Sequence, residues 1–137
     1  MCTYLKDKSW HVYGNDFRVK IPSEDTFTYP DILVVCEEEK LTDDKFDTLT
    51  NPTVIIEILS PSTEKYDKGN KFFSYKQIPS LREYLMISST EIYIQAARKK
   101  SDDSWKFELL TDLQGNLYIN TIEYDILLKD IYHNVKF

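Results

Sequence analysis

The sequence is poor in the residues that mark several common classes of protein. It has three glycines and two cysteines in 137 residues. No glycine-rich phosphate-binding loop and no dinucleotide-binding turn can be found in it. Cys2 and Cys36 have neither the spacing of a zinc site nor the number that a disulfide framework needs, so we expect both thiols to be reduced. These absences argue against nucleotide-binding and disulfide-rich proteins.

Long apolar segments are also missing. A membrane-spanning helix needs about 20 apolar residues, and the longest apolar run, residues 54–59, is interrupted by Glu57. The first ten residues contain no apolar core of a signal peptide. These features predict a cytoplasmic protein without a membrane partner. The length suits one hydrophobic core, so we expect residues 1–137 to form a single domain.

The chain has no excess of positive charge. Seventeen basic residues stand against 23 acidic ones, a net charge of −6. This balance argues against a broad electrostatic grip on nucleic acid, which needs several cations on one face. It remains compatible with an enzyme that contacts DNA locally through a metal ion. The acids are crowded into residues 37–47, which we interpret as a solvated connection, and lysines are crowded into residues 65–76.

The hydrophobic pattern predicts a mixed α+β domain with one sheet. Turn residues 14–16 lie between two short β-type segments and predict a hairpin. Two apolar runs, residues 32–36 and 53–59, predict buried strands, and hydroxyl residues after Leu59 predict the start of a helix that ends near Gln77. We expect the remaining segments to form a loop at 22–28, a long connection at 37–52, four later strands and a short closing helix.

Two acidic residues accompany the two apolar strands. Asp31 stands at the mouth of the first, and Glu57 lies within the second, on the same face as Ile55 and Leu59 because side chains alternate along a strand. An unpaired buried carboxylate is costly, so Glu57 is expected only where a cation meets it. Two carboxylates at adjacent strand ends suit Mg²⁺. The alternative is that Asp31 caps a loop and Glu57 pairs with a lysine or arginine.

Two lysines of the predicted helix could supply positive charge to this pair. At about 100° per residue, the apolar residues of the helix fall within one half-turn that faces the sheet, namely Tyr66, Gly69, Phe72, Phe73 and Tyr75. Lys71 lies at the rim of that arc and Lys68 inside it. Either ammonium could stabilise a phosphoryl transition state or hold an attacking water. The alternative is that both stems pack while both ammoniums reach water.

The segments "YPDILVVCEEE" and "NPTVIIEILSPSTEKYDKGNKFFSYKQIPSLREYLMIS" resemble the Uma-two family of restriction endonucleases, within the PD-(D/E)XK nuclease superfamily. The resemblance covers about residues 10–137. It implies a restriction-endonuclease-like core with a central mixed sheet, one main helix and a C-terminal β-meander. It also implies Mg²⁺-dependent hydrolysis of DNA, with Mn²⁺ as a substitute. Asp31 and Glu57 would bind the metal ion, together with the backbone carbonyl of Ile58.

Two departures from the family pattern shape the expectations. Leu59 stands where the superfamily has its lysine, so the catalytic cation would come from the helix, with Lys71 first and Lys68 second, and Tyr75 could orient either one. Relatives also extend further ahead of Trp10. We therefore expect an N-terminally shortened member whose uncovered sheet face is covered by a second copy, giving a homodimer.

Three functions remain open at this point. The first is a Mg²⁺-dependent DNA endonuclease. The second is a catalytically inactive nuclease-fold module that binds DNA or protein. The third is a small-molecule or metal-binding α+β domain, which the Glu57 strand alone would permit.

Overall fold

The computed structural model describes residues 11–14, 18–21, 26–36, 41–42, 45–62 and 68–135. Its strands are β1 (His11–Tyr13), β2 (Arg18–Ile21), β3 (Thr26–Thr28), β4 (Ile32–Val35), β5 (Leu41–Thr42), β6 (Lys45–Leu49), β7 (Val54–Leu59), β8 (Glu83–Ser88), β9 (Ile94–Lys99), β10 (Trp105–Leu110), β11 (Asn116–Ile119) and β12 (Tyr124–Leu127). Its helices are α1 (Asn70–Tyr75) and α2 (Leu128–Ile131), with a 3-10 turn at Asn120–Ile122.

A six-stranded mixed sheet in the order β1-β4-β7-β8-β9-β10 forms the centre of the molecule. Its strands pair antiparallel except β7 and β8, which run parallel. A parallel pair needs a crossover between its strands, and the segment that contains α1 provides it. The predicted mixed α+β class with a central mixed sheet, one main helix and a following meander is confirmed.

The central sheet is largely buried on both faces along β4 and β7, which explains why these two strands read as continuous apolar runs. On the face that α1 covers, here called the α1 face, buried residues of the sheet include Leu33, Ile55 and Leu59, which pack with Tyr75. On the opposite face, here called the hairpin face, buried residues of the sheet pack against the C-terminal β11–β12 hairpin and α2. Alternate side chains of β7 therefore pack into two separate hydrophobic cores, one on each face of the sheet.

The N-terminal third differs from the predicted pattern. The expected hairpin of β1 and β2 is wrong, because β1 pairs with β4 in the central sheet while β2 pairs with β3 and β6. The predicted loop at 22–28 contains β3, and the predicted connection at 37–52 contains β5 and β6, so the strands that the structure describes form three sheets instead of the expected one. A local turn signal cannot specify a partner strand, since pairing is decided by distant apolar surfaces. Residues 15 and 16 of that predicted turn lie outside the described residues.

The structure also differs from the predictions for the helix and for Cys36. Within the predicted helix, α1 covers Asn70–Tyr75, and residues 63–67 lie outside the described part of the chain. Phe73, assigned to the buried arc, is 60% exposed because α1 packs its Phe72 and Tyr75 side on the sheet. Cys36 is disulfide-bonded, so the expectation of a reduced thiol is wrong for it. Among the described residues, no helix is both long and apolar enough to cross a membrane.

Candidate active site

Asp31 and Glu57 lie directly opposite each other. The antiparallel register pairs Ile32 with Ile56, so the next step places Asp31 across from Glu57, on the same face of the sheet. Glu57 Oε1 accepts the Asp31 N–H at 3.2 Å, and Asp31 Oδ2 accepts the Ile58 N–H at 2.7 Å. Each acid thus binds the backbone beside the other, and the two carboxyl groups are held at one end of the β4–β7 pair.

Glu57 is buried, and its other oxygen meets two donors from α1. Only 2% of its surface is exposed. Lys71 Nζ lies 2.5 Å from Oε2, and the Tyr75 hydroxyl donates to the same oxygen at 3.0 Å. Lys71 and Tyr75 are four residues apart, which places them on one side of a helix. The cation that a buried carboxylate was expected to need is therefore present within the chain, as the lysine-pairing alternative anticipated.

Burial and hydrogen bonding act in opposite directions on this carboxyl group. Burial raises the pKa of Glu57 above its ordinary value, although the hydrogen bond and charge of Lys71 and the two other donors act to lower it. Burial also raises the pKa of Tyr75 far above its usual range, and the charge of Glu57 raises it further. Tyr75 therefore stays protonated and donates its O–H to Glu57 in a hydrogen bond, so the Thr28 hydroxyl, 2.9 Å away, donates to the Tyr75 oxygen.

Leu59 stands at the position where the superfamily pattern has a lysine, and the ammonium group near Glu57 belongs to Lys71 of α1 instead. Leu59 shares the α1 face with Glu57 but is 1% exposed and forms part of the apolar core. The ammonium of Lys71 arrives at the same carboxylate from the helix that packs on this face. Of the two predicted lysines, the structure brings Lys71 to Glu57. The contacts described for Lys68 are with Tyr93, at 3.2 Å from the hydroxyl and 4.2 Å from the ring centre.

Sequence reasoning missed three polar residues near this site. Thr28 supports Tyr75 from β3, which was assigned as loop. The Tyr93 hydroxyl donates to Gln95 at 3.4 Å. Gln95 lies opposite Met86, and Met86 is paired with Glu57, so Gln95 belongs to the same row across the sheet. Only the register between strands could have found it, and register is set by tertiary pairing.

The oxygen atoms at this point are suited to a hard divalent cation. Asp31 Oδ1 makes no hydrogen bond to the described residues, and Glu57 Oε1 accepts only one, so both retain lone pairs. The N–H of Ile58 faces Asp31, and the carbonyl of a strand residue points to the same side as its N–H. No group of three acidic, histidine or cysteine ligands occurs among the described residues. Two carboxylates, completed by water and a phosphate, are a usual set for Mg²⁺, so the residues fit this ion.

The chain is similar to known proteins in sequence and in fold. Residues 3–123 match the family model Uma2, described as "Putative restriction endonuclease". An uncharacterized Synechocystis protein, sll1609, is 38% identical over 111 residues, which are 81% of this chain and 61% of that protein. A second Synechocystis protein, slr1290, is 31% identical over 138 residues, covering 99% of this chain and 70% of its own length. The chain thus spans less than two thirds of the first of these relatives.

One solved structure has the same fold. A crystal structure from Anabaena variabilis, described as "a putative nuclease belonging to DUF820", superposes with a TM-score of 0.72. The two sequences are 17% identical, and the match covers 95% of this chain and 72% of the other. At this level of identity the likeness concerns the fold.

Proposed function

The chain belongs to the Uma2 family, and we propose that it is a Mg²⁺-dependent endonuclease that hydrolyses phosphodiester bonds in DNA. The family and the nuclease-like fold support the reaction class. The observation that carries the proposal is the convergence of Asp31 from the bend before β4, Glu57 from β7 and Lys71 from α1. Two carboxylates and an ammonium on one sheet face are the groups that metal-assisted phosphodiester hydrolysis requires.

Asp31, Glu57 and the Ile58 carbonyl would hold the metal ion. Such an ion supplies Lewis acidity to the scissile phosphate and to the attacking water. Asp31 contributes a carboxylate oxygen that the described residues leave without a hydrogen bond. Glu57 contributes Oε1, while its Oε2 keeps the contacts with α1. The two oxygens of Glu57 therefore have different roles.

Lys71 would act on the substrate side of the site. Its ammonium is 2.5 Å from Glu57 and its side chain is 16% exposed, so it is partly shielded from water. A positive charge held in such surroundings stabilises negative charge on a phosphoryl oxygen better than one in bulk water. Tyr75, whose hydroxyl also contacts Thr28, donates to the same Glu57 oxygen and helps to hold the carboxylate in place.

Cleavage of supercoiled plasmid and of a labelled duplex with Mg²⁺ or Mn²⁺ tests the proposal. We expect Asp31→Asn and Glu57→Gln to abolish cleavage and Lys71→Ala to reduce it by about 10²–10³-fold. The matched control is Lys76→Ala, which removes a lysine of the same region whose described contacts are with the Phe72 and Phe73 rings. Cleavage that survives both acid substitutions would refute the assignment.

The second candidate is a catalytically inactive module that retains the nuclease fold to bind DNA or protein. The observation that favours it is the pairing of Glu57 with Lys71 and Tyr75, which satisfies the buried carboxylate without a metal ion. Calorimetry with Mn²⁺ separates the two candidates. Metal binding that Asp31→Asn abolishes, without cleavage of any DNA substrate, would favour the inactive module.

A further inference from the structure

A second polar site lies at the opposite end of the central sheet from Glu57. A cavity of about 480 Å³ opens where β8 begins and β9 ends. Glu83 in its wall is paired with Val54, three residues before Glu57 along β7, which corresponds to about 10 Å. Glu83 also belongs to the hairpin face, since Val54 packs in that core. The cavity is therefore separate from the candidate active site.

Positive charge dominates the described lining of this cavity. Four basic residues contribute to it, namely Arg82, Arg98, Lys99 and Lys100. Glu83 is the acid among the described lining residues, and it is 2% exposed. Its oxygens are already bound by Arg98 Nε at 3.1 Å and by the N–H groups of Asn120 and Thr121 at 3.1 and 2.7 Å. Glu83 and Glu108 thus offset Arg98, and Lys99 lies 3.8 Å from Asp103, so the excess positive charge rests on Arg82 and Lys100.

Two of these cations have no acidic partner in the described part of the chain. The side chains of Arg82 and Lys100 are exposed and make neither an ion pair nor a hydrogen bond to the described residues. Their backbone is fixed, because Lys99 N–H donates to the Arg82 carbonyl at 2.8 Å and Lys100 N–H to Ser104 at 2.7 Å. The Thr121 hydroxyl, in a residue that is 1% exposed, also lacks a hydrogen bond to the described residues.

We propose that this cavity binds a phosphate group. The Arg82 guanidinium and the Lys100 ammonium beside the paired ends of β8 and β9, with the Thr121 hydroxyl from the 3-10 turn, match the charge and the acceptor oxygens of phosphate. On a chain with a net charge of −6, such a local excess of cations concentrates anions at one place rather than over the surface. The phosphate can belong to a free nucleotide or to the 5′ end of a nucleic acid. This site is independent of the proposed nuclease reaction.

Titration calorimetry without divalent metal tests the proposal, with three probes: inorganic phosphate, adenosine monophosphate, and a short oligonucleotide with or without a 5′-phosphate. We expect at least one phosphate probe to bind, and Arg82→Ala and Lys100→Ala each to weaken binding at least tenfold. Lys129→Ala, an exposed lysine outside the cavity, is the matched control. Glu57→Gln should leave binding unchanged, which separates this result from the fate of the nuclease proposal.

The pattern among the probes identifies the source of the phosphate. Binding of the monophosphate alone assigns a free nucleotide, and preference for the 5′-phosphorylated oligonucleotide assigns a nucleic acid end. Absence of binding by every probe, or binding that both cavity variants leave unchanged in a chain with a native circular dichroism spectrum, would overturn the proposal.

A different observation concerns strand β10, which lies at the edge of the central sheet among the described strands. Phe107 and Leu109 on one side of β10 are 49% and 58% exposed. Lys106 and Glu108 occupy the other side of the strand. Long, apolar edge strands are templates for pairing with another strand. We call this surface the β10 patch.

We infer that a second copy of the chain covers the β10 patch through antiparallel pairing of the two β10 strands. A twofold axis through Phe107 places Lys106 opposite Glu108 of the partner subunit, and the reverse, while the two Phe107 rings face each other. Opposite charges directly across an antiparallel pair are favourable, and like charges are unfavourable. The strand is therefore complementary to itself in this register, which specifies a second copy as the partner.

Size-exclusion chromatography with light scattering over a range of concentrations tests this dimer. We expect a dimer that Phe107→Lys converts to monomer and that Lys106→Glu weakens, because it places two acids opposite each other. Lys129→Glu, the same change of charge on another surface, should leave the dimer intact. A wild-type chain that is monomeric at high micromolar concentration, or a dimer that survives Phe107→Lys, would disprove it.

Discussion

Two buried carboxylates on neighbouring strands, Glu57 on β7 and Glu83 on β8, differ in what surrounds them. Each is 2% exposed. Glu83 receives a guanidinium N–H and two backbone N–H groups, which use both of its oxygens and anchor the 3-10 turn at Asn120–Ile122. In Glu57, the Lys71 ammonium and the Tyr75 hydroxyl both contact Oε2. Its Oε1 accepts a single hydrogen bond, from the Asp31 N–H at 3.2 Å.

The difference separates a structural carboxylate from one that can still bind a ligand. A carboxylate whose oxygens all face fixed backbone donors has little capacity left for a metal ion. One with a lightly used oxygen beside a second acid retains that capacity, as Glu57 does beside Asp31.

The largest expected effect is on activity. Glu57→Gln should abolish DNA cleavage while the chain stays folded, because it removes the negative charge at the proposed metal site. Glu83→Gln should leave the chemistry of the site unchanged per folded molecule. Cleavage assays normalised to the folded fraction, measured by circular dichroism, check both. Equal loss of cleavage in the two variants would contradict the assignment of Glu57 as a metal-binding carboxylate and Glu83 as a structural one.

The next effect is on stability. Glu83→Ala should lower the free energy of unfolding by about 3–5 kcal/mol, since it leaves the guanidinium of Arg98 without a buried partner and exposes two backbone N–H groups to a cavity. Urea denaturation measures this change. Glu108→Ala is a suitable comparison, because Glu108 also contacts Arg98 but is half exposed, and its removal should cost less than about 1 kcal/mol.

A third prediction concerns pH. Because burial raises the pKa of Glu57 in the folded chain, the folded state holds its proton more tightly than the unfolded state. The contribution of Glu57 to stability should therefore fall as pH rises from about 4.3, the ordinary glutamate value, to the raised pKa. Affinity for Mn²⁺ should change in the opposite direction, since the ion needs the ionised form. Urea titrations of wild type and Glu57→Gln across this range should differ in slope, and parallel curves would contradict the prediction.

The smallest effect is expected at Tyr75. Tyr75→Phe should cost about 1 kcal/mol in stability, the size of one net hydrogen bond, and should raise the pKa of Glu57 further, because the Tyr75 hydroxyl acts to lower it. Stability from urea denaturation and the pH dependence of Mn²⁺ binding report the two changes. Tyr118→Phe, at a position that is 41% exposed, is the control and should change neither.

The candidate site could be predicted in part from local patterns. The period-2 alternation of "TVIIEILS" placed Glu57 among apolar residues, and the helical spacing placed Lys71 near the packed side of the following helix. Both inferences needed only neighbouring residues. The same helical spacing predicted wrongly that Phe73 faces the sheet. The spacing of apolar residues does not define how a six-residue helix is oriented on its sheet.

The amino-acid sequence by itself determined where the buried strands run and that one of them carries a carboxylate, since hydrophobic alternation is a local property. Tertiary structure alone decided that Asp31 lies opposite Glu57, that Lys71 rather than Lys68 reaches it, and that β1 pairs with β4 instead of β2. These pairings and contacts depend on strand register and on residues far apart in the chain. Their stability comes from packing between distant segments, which no short stretch of sequence specifies.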